Sequence, residues 1–437
     1  MFQYTPDHNA VFDQPAWDVS WRADIGKASN GGLSIVGDVL YTDGFDHAVY
    51  AIDARTGVRI WRTELDDVLM NVPIVVGGIV IVGTGHAGLL QMSSTFWTSG
   101  RPEGDAIFGL DARTGRVIWR FDTVGENMPT GVYLVAGGHP QFVFSGGDDH
   151  VYSLDPATGR LLWKQTTLGI DGMASMNVFR GLVIGETTLS DAGFFAAQGS
   201  PTHSDRYFNW TWAIDPSNGQ YVWHAPFGVG DASALVGDDT VFVQGFKLVQ
   251  PTGERAAELS RSIGWDSLAN GPDTRWANVV TAIDGVSGTA RWSAVSAPGA
   301  NDTYGSAAFT ADSVFSDGIA YEPLPFAREL AAFSARDGHI VWKIKTHGSI
   351  KTSPVIKDGI LYVGDVDGYF YVIRAANGSV LHEIKFDGAP SSRGFAKCPP
   401  VIVGNTLYVS NLHYVYALRL SDLQRGIPSS YQGPATR

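Results

Sequence analysis

The chain has one cysteine, Cys398, among 437 residues. That excludes an intrachain disulfide, a paired-cysteine metal or redox centre and the Cys-x-x-Cys-His attachment of a c-type haem, so no haem is expected. Charged residues make up only 17%, and 31 Lys and Arg stand against 44 Asp and Glu, a net charge of −13. This balance repels phosphate backbones and anionic lipid, and no nucleic-acid partner is expected. The longest apolar run, Val72 to Val82, is broken by Gly77 and Gly78. It is far short of the ~18 residues of a membrane helix, so no transmembrane segment is expected. The opening MFQYTPDHNAVFDQPAW carries no basic or apolar leader. The expected compartment is periplasmic or extracellular if a signal peptide was removed, and cytoplasmic otherwise.

Common catalytic strings are missing too. Walker A, Gly-x-Ser-x-Gly and His-Glu-x-x-His do not occur. Gly83-Thr84-Gly85-His86-Ala87-Gly88 fits a dinucleotide fingerprint but sits in no βαβ unit, so no nicotinamide cofactor is expected. His47 and His150 share an Asp-His-x-Val-Tyr context at a turn, while His203 and His347 lie on an insertion and a crossover without the partner spacing of a metal site.

What the chain does have is a repeat. An eleven-residue pattern recurs seven times: AIDARTGVRIW, GLDARTGRVIW, SLDPATGRLLW, AIDPSNGQYVW, AIDGVSGTARW, AFSARDGHIVW and VIRAANGSVLH. Each copy has glycine at its seventh position, from Gly57 to Gly378, and the last ends in His382 where the others end in tryptophan. Thr-Gly, Asn-Gly, Ser-Gly or Asp-Gly between β-rich runs is a hairpin signal, because glycine accepts positive φ. Two further short β runs precede most copies, as in SPVIKDGILYVG, so each unit reads as a four-stranded meander, A to D, with the tryptophan on D.

A D-like strand with Trp21 precedes the first meander, and the last meander, Pro400 to Leu420, has only A, B and C. The N-terminal strand therefore closes a ring. The expected fold is an all-β, eight-bladed β-propeller of four-stranded antiparallel blades spanning 17–420, with an N-terminal arm, 1–16, and a C-terminal tail, 421–437. The seven tryptophans in register are read as contacts between blades. Asp53, Asp111, Asp155, Asp215 and Asp284 are read as turn residues that accept backbone N–H groups.

Loop lengths sort by face. A–B and C–D turns are short, whereas B–C connections swell over Thr84–Asp105, Thr187–Asn209 and Gly245–Asn278, with a shorter one over Glu322–Glu329. These share an edge with the D–A crossovers, which carry Asn71, Glu126, Asn127, Asp171, Asn177, Asp231, Tyr304, Lys351, Arg393 and Lys397. The insertions add Phe96, Trp97, Phe194, Phe195, Tyr207, Trp210, Trp265 and Trp276, which either roof the central mouth or bury themselves as satellite cores. Loops on a rigid frame usually hold function, so a ligand pocket is expected at this mouth.

The A-x-D-x-x-T-G-x-x-x-W repeat resembles the pyrroloquinoline quinone (PQQ) repeat of quinoprotein alcohol dehydrogenase-like propellers. The resemblance implies PQQ and Ca²⁺ near the axis on the D–A face, and oxidation of an alcohol or sugar. Lys351, Arg393 and Lys397, with Asn71 and Tyr304, would hold the quinone. Glu126, Asn127 and Asn177 would hold the Ca²⁺. Asp171 or Asp231 would take the substrate proton, and an electron-acceptor protein would be the partner. The adjacent-cysteine disulfide of the larger dehydrogenases is missing, since Cys398 stands alone. The same repeat builds the outer-membrane assembly lipoprotein, so a non-catalytic scaffold gripping a small molecule or polymer on the insertion face is the alternative. A hydrolase or lyase on that face is the third reading.

Overall fold

The computed structural model describes residues 11–12, 20–25, 32–44, 46–85, 105–123, 127, 130–147, 150–167, 174–186, 210–227, 232–250, 275–299, 312–386, 394–395, 398–411, 413–426 and 430–431. Eight antiparallel sheets follow one another along the chain, each a meander of four strands. Blade 1 comprises Leu33–Val36, Val39–Gly44, Ala48–Asp53 and Arg59–Glu64, and blade 2 Ile74–Val76, Ile79–Thr84, Ala106–Asp111 and Val117–Asp122. Blade 3 comprises Val132–Ala136, His139–Gly146, His150–Leu154 and Leu161–Thr166, and blade 4 Asn177–Phe179, Leu182–Glu186, Thr211–Asp215 and Gln220–Ala225. Blade 5 runs over Leu235–Gly237, Thr240–Gln250, Arg275–Asp284 and Ala290–Val295, and blade 6 over Val314–Ser316, Ile319–Leu324, Glu329–Ser334 and Ile340–Lys345. Blade 7 is Val355–Lys357, Ile360–Gly364, Tyr369–Arg374 and Val380–Phe386. Blade 8 takes Val401–Val403, Thr406–Ser410 and Tyr414–Arg419 from the C-terminal end and Trp21–Asp24 from the N-terminal end, paired through Trp21 and Ala417. The protein is an eight-bladed β-propeller closed by its N-terminal strand.

Its core is divided among the seams between blades rather than gathered in one place. One apolar cluster joins Tyr41, Val49 and Leu69 to Val80, Val82 and Phe108 across blades 1 and 2. Another joins Trp21, Val415 and Ala417 to Leu40, Tyr50 and Ile52 across blades 8 and 1. Strands A to C are largely buried, and the D strands alternate to solvent, as in Arg59–Glu64 and Ile340–Lys345.

The repeated tryptophans lock each blade onto the next. Trp21 Nε1 donates to the Ala54 carbonyl at 2.9 Å, Trp61 to Ala112 at 3.0 Å, Trp119 to Pro156 at 3.2 Å and Trp163 to Pro216 at 2.8 Å. Trp223 donates to Gly285 at 2.9 Å, Trp292 to Ala335 at 2.9 Å and Trp342 to Ala375 at 2.7 Å. Each ring lies over the turn glycine of the following blade. At Gly288, with φ +71°, a Cβ would come within 2.8 Å of the Trp223 ring. The glycine is thus required twice, by its backbone and by the ring above it. Asp53 Oδ1 accepts Arg55 N–H and Thr56 N–H at 2.9 and 3.1 Å, and Asp284 Oδ1 accepts Val286 N–H and Ser287 N–H at 3.0 and 2.9 Å. The Arg291 guanidinium beside Asp284 holds that carboxyl well below the usual range.

Both ends of the chain add to the sheets. Val11–Phe12 pairs in parallel with Val401–Val403, the innermost strand of blade 8, and also touches the inner strand of blade 7. Val11–Phe12 therefore lies on the axial side of blade 8. At the other end a short helix, Leu420–Arg425, replaces the C–D turn of blade 8, and His382 Nε2 meets the Gln424 carbonyl at 2.6 Å. A Cβ at Gly426 would lie 2.8 Å from that imidazole, so His382 and Gly426 reproduce the tryptophan–glycine contact with different residues. Ser430–Tyr431 then pairs in parallel with the outer strand of blade 7.

Candidate functional site

Antiparallel meanders place the B–C connections and the D–A crossovers on one end of the ring. Two of the expected connections are more ordered than their sequence implies. In blade 5 the hairpin continues to Gln250 and resumes at Arg275, with a bulge near its tip, so only part of Gly245–Asn278 is a connection. In blade 6, strand B runs to Leu324 and a 3₁₀ turn, Pro325–Ala327, fills what reads as a loop. Trp276, whose backbone bridges to Gly299, stacks on Phe326 with centroids 6.2 Å apart at 15°. Trp210 meets His224 edge-on at 4.9 Å. These two insertion aromatics pack locally. Phe96, Trp97, Phe194, Phe195, Tyr207 and Trp265 lie outside the described residues.

The crossovers enter the channel through a belt of hydrogen bonds that sequence reading does not reveal. Two residues before strand A, the backbone of one blade donates to a side chain at the same place in the next. Val72 N–H reaches Thr130 Oγ1 at 2.8 Å, Thr130 N–H reaches Ser175 Oγ at 3.1 Å, Ser175 N–H reaches Ser233 Oγ at 2.9 Å, and Ser233 N–H reaches Asp312 Oδ1 at 2.7 Å. The belt ties blades 2 to 6 at the inner rim.

Of the ten candidate site residues, four are described, and three of these serve the same inter-blade bonding. Asn71 Nδ2 donates to the Gly83 and Asn127 carbonyls at 2.7 and 3.0 Å, while its Oδ1 accepts Gly83 N–H at 3.2 Å. Gly83 belongs here for a packing reason, since a Cβ there would lie 2.7 Å from the Asn127 carbonyl. Asn127 Nδ2 donates to Thr84 O and Thr123 Oγ1 at 2.8 and 2.7 Å, and its Oδ1 is buried without a hydrogen-bond partner. Asn177 Nδ2 donates to Ala234 O of blade 5 at 2.9 Å. Lys351 is a cation buried to 5% exposure on the crossover into blade 7. Glu126, Asp171, Asp231, Tyr304, Arg393 and Lys397 lie outside the described residues. Among the described residues, no group of three or more His, Cys, Asp or Glu converges as a metal site. His347 Nε2 is engaged by Glu383 Oε1 at 2.8 Å, and the ring stacks on Tyr369 at 4.0 Å.

Two buried carboxylates on this end, Asp365 and Glu322, are satisfied to different degrees. Asp365 is fully satisfied: Oδ2 accepts Gly348 N–H and the Tyr371 hydroxyl at 2.8 Å, and Oδ1 accepts Asp367 N–H and Tyr369 N–H at 3.0 Å. Glu322, near the end of strand B in blade 6, is 1% exposed. Its Oε2 accepts the Ser313 hydroxyl and Gln244 Nε2–H, the latter at 2.6 Å, while Oε1 has no hydrogen-bond partner. Burial pushes its pKa up to about 7, opposed by the Ser313 and Gln244 hydrogen bonds and helped by nearby Asp312.

Eight blades, seven of their seams locked by tryptophan on glycine and one by His382 on Gly426, define a PQQ-repeat propeller. The chain belongs to the PQQ_2 family, described as outer membrane protein assembly factor BamB, whose model matches residues 10–169, 103–245, 147–311 and 276–424. It is similar to tetrathionate hydrolase of Acidithiobacillus ferrooxidans, with 25% identity over 96% of this chain and 85% of that protein. It is also similar to quinohemoprotein alcohol dehydrogenase ADH IIB of Pseudomonas putida, with 32% identity over 26% of this chain and 15% of that one. The crystal structure of quinohemoprotein alcohol dehydrogenase from Comamonas testosteroni shares the fold, with TM-score 0.63 and 15% identity over 95% of this chain and 77% of that one. Among the described residues, no helix is long and apolar enough to cross a membrane.

Proposed function

We propose that this chain is a hydrolase of the tetrathionate hydrolase kind, binding a small dianion at the D–A mouth of the propeller. The observation that carries this reading is coverage: the similarity to the hydrolase spans 96% of the chain, whereas that to the alcohol dehydrogenase spans 26%. The chemistry of the mouth supports it. In a protein of net charge −13, Lys351 is a cation buried on the crossover into blade 7, and by sequence Arg393 and Lys397 fall on the next crossover; positive side chains of this kind suit two sulfonate groups. The test is release of thiosulfate from tetrathionate by the purified chain. Lys351→Gln is expected to raise KM at least tenfold with a smaller change in kcat. An unchanged KM excludes Lys351 from substrate binding.

The local 32% identity to a quinohemoprotein dehydrogenase favours a second reading, in which Lys351, Arg393, Lys397, Asn71 and Tyr304 hold PQQ, Glu126, Asn127 and Asn177 hold Ca²⁺, and Asp171 or Asp231 is the base. The described donors fit that set poorly. Both amide atoms of Asn71 are engaged by backbone, and Asn177 directs its amide nitrogen at blade 5; only Asn127 Oδ1 offers a hard oxygen with no hydrogen bond to lose. Reconstitution with PQQ and Ca²⁺ followed by alcohol-dependent dye reduction decides this reading. Inactivity in both assays leaves the non-catalytic scaffold.

A further inference from the structure

The seam between blades 5 and 6 holds polar side chains that neither the tryptophan contacts nor the inner belt requires. Glu322, Ser313, Gln244 and Asn278 are 1%, 2%, 7% and 1% exposed. All the donors converge on one carboxylate oxygen. Ser313 and Gln244 bond Glu322 Oε2, and the same Gln244 nitrogen reaches Ser313 Oγ at 3.1 Å and the Pro323 carbonyl at 3.2 Å. Oε1 is left without a partner. Across the seam Asn278 is also half satisfied: Oδ1 accepts Phe326 N–H at 3.2 Å, and Nδ2 has no partner. One carboxylate oxygen on blade 6 and one amide nitrogen on blade 5 of the same seam are thus a buried acceptor and a buried donor without a hydrogen-bond partner in the protein, the kind of group that ordered water satisfies. Asp365, with four donors on two oxygens, shows how this fold satisfies a carboxylate that is merely structural.

Both groups lie close to the D–A rim. Strand B ends at Leu324, two residues beyond Glu322, and the Phe326 backbone bonded by Asn278 is part of the 3₁₀ turn beneath Trp276. Other charges on the surrounding elements are Asp312 on the crossover and Glu329, the latter neutralised by Lys343 and Lys345 at 3.2 and 3.1 Å. Blade 5 presents Gln244, Asn278 and the apolar Val280.

We propose that Glu322 is the acid–base residue of this face: with Oε2 pinned by Ser313 and Gln244, Oε1 is the oxygen left to take the proton of the attacking water molecule. This rests on the hydrolase reading and names its base. The water oxygen bonds to an inner sulfur of the −O₃S–S–S–SO₃− chain, and the central S–S bond breaks with its electron pair leaving on thiosulfate. The products are S₂O₃²⁻ and HO–S–SO₃⁻, and the released proton passes from water to Glu322 Oε1 and then to solvent. A base with a pKa near the working pH suits this transfer.

The experiment uses the full chain, Glu322→Gln and Ser313→Ala, with two readouts: infrared titration of carboxyl groups from pH 5 to 9, and the pH profile of thiosulfate release. The unmodified chain is expected to show one carboxyl titrating near neutrality, matched by a rise in kcat over the same range. Glu322→Gln, isosteric and uncharged, loses that titration, and its kcat falls by about 10²–10⁴ with a flat profile. Ser313→Ala, which removes one of the two bonds pinning Oε2, lowers kcat by less than Glu322→Gln does and moves the limb to higher pH. Persistence of the neutral titration in Glu322→Gln overturns the proposal, as does its loss with an unaltered rate profile. Absence of tetrathionate turnover by the unmodified chain overturns the hydrolase reading and the water step, while loss of the titration in Glu322→Gln still supports Glu322 as the exchanging carboxyl.

Discussion

At the scale of single residues, this fold places two opposite demands on its side chains. The tryptophans need their partner in van der Waals contact, and Trp223 shows the dependence most directly. Its indole is 7% exposed and bonded to Gly285 O, with its ring against Gly288. Trp223→Ala is expected to lower unfolding free energy by about 3–5 kcal/mol. Gly288→Ala, placing a Cβ at positive φ and into the ring, is expected to lower it by about 2 kcal/mol. Denaturant unfolding of both and of the double variant checks this, and the double should lose less than the sum because the ring that clashes is gone. Glu322 makes the reverse demand, being comfortable only when neutral. Its folded pKa of about 7 lies above the ordinary carboxyl value of 4.5, so the unfolded chain releases this proton first. Stability from this group is therefore full below pH 4.5 and is lost as pH rises through 7, by about 3 kcal/mol at neutrality. Glu322→Gln should flatten that part of the stability–pH curve in urea titrations from pH 4 to 8.

At the scale of strands and turns, what could be read from sequence is what repeats. Tryptophan and glycine recur in register because seven of the eight seams are made by the same contact of a ring on a turn glycine, so the eleven-residue pattern discloses strand, turn and blade boundary together. The belt at the inner rim uses an equally regular geometry but accepts any short side-chain oxygen. Thr130, Ser175, Ser233 and Asp312 share a role without sharing a letter, and Ser353 at the same place in blade 7 has no hydrogen-bond partner for its hydroxyl. The polar seam of blades 5 and 6 was hidden for a related reason. Gln244 and Glu322 are 78 residues apart and meet only through the stagger of two sheets, and Glu322 itself reads as the edge of a loop because a 3₁₀ turn follows strand B. Asn71, Asn127 and Asn177, by contrast, stood out as polar crossover residues, yet their amides bind backbone across the seams. The belt makes a local prediction. Ser175→Ala removes the acceptor of Thr130 N–H and should lower stability by about 1–2 kcal/mol. Hydrogen exchange at the Thr130 amide should accelerate by tenfold or more, while the Trp61 and Trp342 amides on distant D strands stay unchanged.

At the scale of the whole molecule, the ring depends on one short strand. Trp21–Asp24 supplies the D strand of blade 8, and Trp21 docks on Ala54 and Gly57 of blade 1 as every other tryptophan docks on the next blade. A propeller missing one such contact keeps eight sheets but exposes the cluster of Trp21, Ala23, Ile25, Leu40 and Val415 that joins its two ends. The arm upstream acts differently. Val11–Phe12 adds to the inner edge of blade 8 and touches the inner strand of blade 7, but it supplies no strand on which closure of the ring depends. Two truncations separate these roles. Removing residues 1–16 is expected to leave a single cooperative melt close to that of the full chain, with faster hydrogen exchange confined to Val401–Val403. Removing residues 1–24 withdraws strand D of blade 8 and should lower the melt strongly and broaden it, because unfolding can then start from an open seam instead of requiring all eight to part at once. Equal melts for the two truncations would mean that the seam between blades 8 and 1 is held by blade 8's own three strands, and that closure by the N-terminal strand contributes little to stability.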